Sequence, residues 1–316
     1  MNGYITHGQV KTAALIWLCV FLCAALPVDA KKLKVVASIP DLGVMAERIG
    51  GDKIEVKTLA SGREDFHGVP VRPSFIPTLN RADLLLTMGL DAEHSWLPAL
   101  AQEARNRKIM EDHEAWIEVY DGVEVLNIPD VISRAEGEQH PEGNPHFNVG
   151  PHCGVPMAEN IGYTLIEFDP DNADVYQTNL DAYVIELEAL TERLKEEGKD
   201  LNGVTIVSYH SDVSYLASFY GMNHVGTLEP KPGIEPTARH VAELAKKAEA
   251  DGTKLVIYHQ AQCGKLPEKF AKRIGARSVQ FANMVGAKKE IKTFIDLQEY
   301  NLRVLLEALK EAEKGN

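Results

Sequence analysis

The chain has 316 residues, of which 45% are hydrophobic and 25% charged. That is length for two domains of ordinary size with a soluble balance of surface and core. The formal net charge of −13 argues against nucleic acid as a partner; an acidic surface attracts cations mildly but selects none.

Residues 12–26 are an uncharged apolar run between Lys11 and Val28-Asp29-Ala30. The run is short for a membrane span, and small residues occupy the −3 and −1 positions of a cleavage point. Residues 1–30 therefore read as a secretory signal cleaved after Ala30, with an uncleaved anchor as the alternative. Cys19 and Cys23 fall inside it, which leaves Cys153 and Cys263 in the mature chain. In an oxidising compartment these could pair as one disulfide, remain two thiols, or place one thiol near a metal.

Residues 33–39 form a β-branched apolar run ending at Pro40, a first buried strand. A helix over 41–49 stops at Gly50-Gly51. A strand at 54–59 leads into the loop 60–73, which carries Glu64, Asp65 and His67. A helix at 74–81, a strand at 83–88, a helix at 96–105 and a strand at 117–120 follow. Strands alternating with helices predict a mostly parallel sheet covered on both faces.

The stretch 143–153, GNPHFNVGPHC, is too rich in Gly, Pro and Asn for a helix or a central strand. It presents His146 and His152 on a rigid turn. Helical patterns over 155–167 and 171–197 come next, the second with Tyr176, Leu180, Tyr183, Leu187, Leu190 and Leu194 at helical spacing. At about 1.5 Å per residue it spans roughly 40 Å, enough to connect two lobes.

The alternation then resumes. Strands are expected at 203–209, 255–258 and 278–281, with a strand end near 226–228. Helices are expected up to Tyr220 and over 237–250, 267–274 and 294–314. His210 directly follows a strand, where ligands bind in open α/β sheets. No HExxH, CxxC pair or P-loop is present, so His67, His146 and His210 carry no local metal signature of their own.

The order of motifs supplies one. Asp65-Phe66-His67, Pro73-Ser74-Phe75, Ala82-Asp83-Leu84 and Gly89-Leu90 come first. Asn144-Pro145-His146-Phe147, Asp169-Pro170 with Tyr176, and Ser208-Tyr209-His210-Ser211 follow. Gly233-Ile234-Glu235-Pro236 and Tyr300-Asn301 come last. In this order they resemble the metal-specific solute-binding proteins of zinc and manganese ABC importers, over about residues 34–309. The resemblance implies an α/β fold of two lobes with mostly parallel sheets, joined by one long backbone helix, with a metal site in the cleft. The lobes would span 31–154 and 200–316, and the connecting segment 155–199. It implies His67 and His146 as ligands from the first lobe and His210 from the second. A histidine at the third position resembles the zinc branch, where glutamate resembles manganese or iron receptors. Three neutral imidazoles suit Zn²⁺, whereas Mn²⁺ favours oxygen.

The sequence departs from the family at Asn283, where an Asp ligand is usual. The fourth position is then open to water, Glu64, Asp65 or Asn283. The implied role is a periplasmic, monomeric receptor that binds Zn²⁺ as cargo, hands it to an ABC importer permease and performs no chemistry. An open position on three histidines also describes a catalytic zinc, so a secreted hydrolase using Glu64 or Asp65 as base is the alternative from another class. His113 and His140 read as surface residues, His140 with a weak metal contact open to it. His94, His224 and His240 read as structural or surface, His152 and Cys153 as neighbours of the ligand turn, and His259 as a residue flanking the cleft.

Overall fold

The computed structural model describes residue 3 and residues 31–111, 113–130, 140–231, 233–262 and 264–314. Apart from Gly3, the expected signal segment and Cys263 fall outside these. Cys153 is a buried thiol with no disulfide partner among the described residues.

The first sheet is built from β1 (Leu33–Ala37), β2 (Ile54–Thr58), β3 (Leu84–Thr87) and β4 (Trp116–Glu118), all parallel, in the order β2-β1-β3-β4. The second uses β5 (Thr205–Ser208), β6 (Asn223–Thr227), β7 (Leu255–His259) and β8 (Arg277–Phe281), also parallel, in the order β6-β5-β7-β8. The two sheets thus repeat one topology. In each, the chain reverses its direction of winding beside the first strand, and the carboxyl ends there are where an α/β sheet opens a crevice. Central strands such as Leu84–Thr87 and Leu255–His259 are buried along their whole length, as parallel strands covered on both faces must be.

The helices are α1 (Pro40–Gly50), α2 (Phe75–Asn80), α3 (Leu97–Glu103), α4 (Gly154–Phe168), α5 (Ala173–Glu197), α6 (Ser214–Tyr220), α7 (Ala238–Ala250), α8 (Lys265–Arg273) and α9 (Phe294–Lys314). The expected elements are present with ends shifted by a few residues. The exception is β6, foreseen only as a strand end. Its polar start at Asn223-His224 and a register irregularity against Ile206 and Val207 weaken the period-2 signal that marks a strand.

α5 has the length and buried stripe expected of it, and Tyr176, Leu180, Tyr183, Leu187, Leu190 and Leu194 all face inward. It packs on α4 and α1 from the first half and on α9 from the second. Arg48 pairs with Glu186 at the middle of α5 at 3.2 Å, and Arg193 near its C-terminal end pairs with Glu299. At the α4–α5 joint Asp169 accepts from Tyr176 Oη at 2.6 Å and Asn172 Nδ2 at 2.8 Å, which closes the bend that Pro170 starts. One hydrophobic core joins Val35 and Leu85 to Leu187, Ile257 and Phe281, so the two halves share a buried centre. Truncating Leu187, which is fully buried, would cost roughly 2–5 kcal/mol.

The loops above the two sheets also meet. Gly62 sits at φ +83°, and a Cβ there would lie 2.0 Å from the Val285 carbonyl oxygen. Asp41, fully buried, accepts from Val285 N–H at 3.0 Å and from Asn148 Nδ2 at 3.1 Å. Burial raises its carboxyl to about 6.

Candidate metal centre

His67, His146 and His210 come from three loops far apart in sequence, and the fold brings one ring nitrogen of each within 4.8 Å of the others. Ring centroids lie 5.0 Å apart for His67 and His146, 5.1 Å for His146 and His210, and 6.0 Å for His67 and His210. The buried ring of Phe66 packs against His67 at 4.6 Å and His146 at 4.8 Å, forming an apolar floor.

Each ring is held by its Nδ1. His67 opens from the turn Phe66–Gly68, whose first N–H groups are capped by Asp65: Oδ1 accepts from His67 N at 3.0 Å. Its Nδ1 donates to the Ala92 carbonyl at 3.0 Å. His146 begins the turn His146–Val149, and its Nδ1 donates to Asn144 Oδ1 at 2.8 Å. The Asn144 orientation is fixed because its Nδ2 donates to Ser211 O at 2.8 Å and Ser214 Oγ at 3.2 Å. His210 lies two residues past the end of β5, and its Nδ1 donates to Glu229 Oε2 at 2.6 Å.

With Nδ1 protonated toward an oxygen in all three rings, Nε2 is the unprotonated nitrogen of each neutral imidazole. The Nε2 atoms of His67 and His146 are 3.2 Å apart. His210 Nε2 is buried without a hydrogen-bond partner among the described residues. A tetrahedral ion with imidazoles at about 2.05 Å spaces its ligand atoms about 3.3 Å apart. The donor set and its spacing therefore fit a small divalent cation, with an oxygen-tied Nδ1 behind every ligand.

The electrostatics are divided. Burial, then the neighbouring imidazoles of His67 and His210, hold the His146 pKa well below the ordinary value. Burial also pulls on His210, but Glu229, Asp212 and Asp65 outweigh it and the His210 pKa is raised. Asp65 is opposed by its own burial, yet His67 and His259 beside it keep its carboxyl below the usual range.

Glu64 and Asn283 are engaged elsewhere. Glu64 Oε2 accepts from Ser61 N, Ser61 Oγ and Arg63 N, and Oε1 pairs with Arg72 at 3.0 Å. Asn283 Oδ1 accepts from Gln260, and its Nδ2 donates to the Glu64 carbonyl at 3.3 Å. Asn283 thus ties the ligand loop of the first half to the second half.

His140 is not the surface residue expected. Its ring stacks on His67 with centroids 4.8 Å apart and planes 24° apart, and burial with the nearby imidazoles lowers its pKa to about 3. Its neighbours 131–139 are polar and look like a solvated loop in sequence, which concealed this. His259 lies deeper than a flanking residue. Its Nδ1 accepts from Ala261 N at 3.1 Å, and its Nε2 faces Asp212 at 3.4 Å. Burial raises Asp212 to about 7. His152 stacks on Phe219. His224 contacts Ser208 Oγ and His240 contacts the Thr227 carbonyl, as structural histidines do. His113 is exposed.

Glu229 and Ala92 were invisible as site residues in the sequence, and Asn144 appeared only as part of the motif around His146. Their hydrogen bonds to ring nitrogens mark them, and those of Glu229 and Ala92 depend on tertiary placement.

The chain is similar to the high-affinity zinc uptake system protein ZnuA of Bacillus subtilis, 23% identical over 293 residues and 88% of each chain. It is similar also to the manganese ABC transporter substrate-binding lipoprotein ScaA of Streptococcus gordonii, 26% identical over 224 residues and 69% of each. Among solved structures, a zinc-bound ZnuA deletion mutant matches with a TM-score of 0.71 at 26% identity, covering 89% of this chain and 97% of that one. Residues 35–308 match the family model described as zinc-uptake complex component A, periplasmic, and the chain belongs to that family of metal-binding ABC-importer receptors.

Proposed function

We propose that the protein is a periplasmic receptor that binds Zn²⁺ through His67, His146 and His210 and delivers it to the permease of an ABC importer. The observation that carries this is the convergence of three imidazoles, each with Nδ1 held by an oxygen. Three neutral nitrogens favour a borderline-soft ion over Mn²⁺, which prefers oxygen. Zinc is cargo in this reading. A hydrolase would need a base on metal-bound water; Glu64 is saturated by its own loop and Asp65 caps the turn that holds His67.

In this reading residues 1–30 export the chain and are removed, 31–154 and 200–316 form the two lobes, and 155–199 connects them. The receptor works as a monomer. Manganese or iron as cargo is the second reading, favoured by the likeness to a manganese receptor. Calorimetric titration of the mature protein tests both. One zinc should bind with high affinity, and Mn²⁺ should not displace it at equal concentration. His146→Ala and His210→Ala should each weaken zinc binding by at least about 100-fold. Unchanged isotherms for both variants would sink the ligand assignment, and preferential Mn²⁺ binding would sink the choice of zinc.

A further inference from the structure

Glu229 serves two donors at once. Its Oε2 accepts from His210 Nδ1 at 2.6 Å, and its Oε1 accepts from the backbone N–H of Gly233 at 3.0 Å. The backbone of Glu229 is itself fixed. Its N–H donates to the Tyr209 carbonyl at 2.9 Å, and its carbonyl accepts from Thr227 Oγ1 at 2.6 Å. The carboxylate is therefore a fork between His210 and the chain that follows.

The far prong of the fork holds a turn. Lys231 and Ile234 face each other in a single antiparallel bridge, and Ile234 N–H donates to the Lys231 carbonyl at 2.9 Å. Gly233 sits at φ +74°, a left-handed conformation that glycine adopts at no steric cost. Burial contributes little to holding this turn down, because Gly233 and Glu235 are exposed and Ile234 is 45% exposed. The charge-assisted bond to Glu229 is what ties Gly233 back to the metal centre.

A carboxylate accepts at both oxygens, so it can serve an imidazole and a backbone N–H together. That requires the imidazole proton to be on Nδ1. In a neutral imidazole the proton can sit on either nitrogen. With the proton on Nε2, the Nδ1 lone pair faces the carboxylate and repels it. A metal ion on Nε2 removes that choice, because the remaining proton must then be on Nδ1.

We propose that zinc on His210 fixes Glu229 and, through it, the turn 231–234, so that occupancy of the buried site is expressed at the surface around Ile234. This rests on the reading of His210 as a ligand. A partner that touches the turn meets a tethered surface on the loaded protein and a looser one on the empty protein.

The test is amide-proton exchange of the mature protein, measured by NMR with Zn²⁺ bound and after the metal is stripped by a chelator. Zinc should slow exchange at Gly233 by about 10-fold or more. The Glu229 amide, held by the Tyr209 carbonyl, should change much less, and it is the reference for the general stabilisation that any ligand gives. Glu229→Gln should reverse the sign. An amide side chain accepts only at its oxygen. With zinc bound, His210 Nδ1–H takes that oxygen, and the amide NH₂ faces Gly233 N–H, donor against donor. Without zinc, the imidazole can take the other tautomer and accept from NH₂, and the oxygen returns to Gly233. Zinc should therefore speed Gly233 exchange in this variant. Ring ¹⁵N shifts of His210 in the same samples report whether zinc is on Nε2. If they show it there and Gly233 follows the reference amide, the inference is overturned while the site stands. Equal slowing at Gly233 in both proteins would overturn it too, since the turn would then respond by a route other than Glu229. If zinc binds and the His210 ring does not shift, the ligand assignment falls as well.

Discussion

Asn144 grips His146 twice: its Oδ1 accepts from the His146 backbone N–H at 2.9 Å and from Nδ1–H at 2.8 Å. The other end of the same amide donates to the Ser211 carbonyl, one residue past His210. A single side chain thus orients a ligand of one half and fixes the loop that carries a ligand of the other. Asn144→Ala should lower metal affinity by about 10–100-fold, the usual effect of removing a partner behind a ligand. It should also lower stability by about 1–3 kcal/mol, because buried partners are left unpaired. Asn144→Asp keeps the acceptors and loses the donor, so its affinity should fall between the two. Chelator competition and denaturant unfolding give both quantities.

The pH at which cargo is lost is set by His210. His146 stays neutral well into the acid range because its pKa is lowered, whereas His210, with Glu229 behind it, takes up a proton at a higher pH than an ordinary imidazole. A proton on His210 excludes the metal, so affinity should fall as pH drops through the raised His210 pKa. Glu229→Gln removes the negative charge and lowers that pKa, and the acid midpoint for zinc release should move to lower pH. Affinity measured from pH 8 to pH 5 checks this; an unmoved midpoint would assign the limiting proton to another group.

Asn283 joins the two lobes through Gln260 and the Glu64 carbonyl, and in the proposed site it is not a ligand. Asn283→Ala should leave the zinc stoichiometry at one and the affinity within a few-fold. It should lower stability by about 1–3 kcal/mol through the lost contacts to Gln260 and Glu64. Metal analysis and thermal unfolding separate the two effects, and a lost or much weakened metal site would return Asn283 to the ligand list.

Gly62 lies where the backbones of the two halves run against each other. Gly62→Ala puts a Cβ into the Val285 carbonyl at a backbone φ of +83°, so the loops must part. A destabilisation above about 2 kcal/mol is expected, together with weaker zinc binding, since the loop that carries His67 begins beside it. Wild-type stability in this variant would show that the loops separate without strain.

Much of the fold was legible because its signals are local. Buried parallel strands read as apolar β-branched runs, and the stripe from Tyr176 to Leu194 marked α5 at its observed length. β6 escaped because Asn223, His224 and Gly226 break the alternation. At the site, the histidines at strand ends and in Pro-Gly turns could be singled out, but their convergence came from the order of motifs and not from spacing. The shell behind them was hidden for a physical reason: Glu229 acts through a tertiary hydrogen bond, Asn144 is oriented by tertiary bonds to Ser211 and Ser214, and Ala92 acts through a backbone carbonyl that no side chain betrays. His140 was misjudged because polar neighbours suggest solvent, whereas its ring lies on His67. The left-handed run at Leu90 and Asp91 has no sequence signature, since neither residue favours it.

The most direct measurement is anomalous diffraction at the zinc absorption edge from crystals of the zinc-loaded mature protein. A single strong peak should lie about 2.0–2.1 Å from Nε2 of His67, His146 and His210. A peak elsewhere, or one that touches fewer than three of these nitrogens, would contradict the assignment of this cleft as the zinc site.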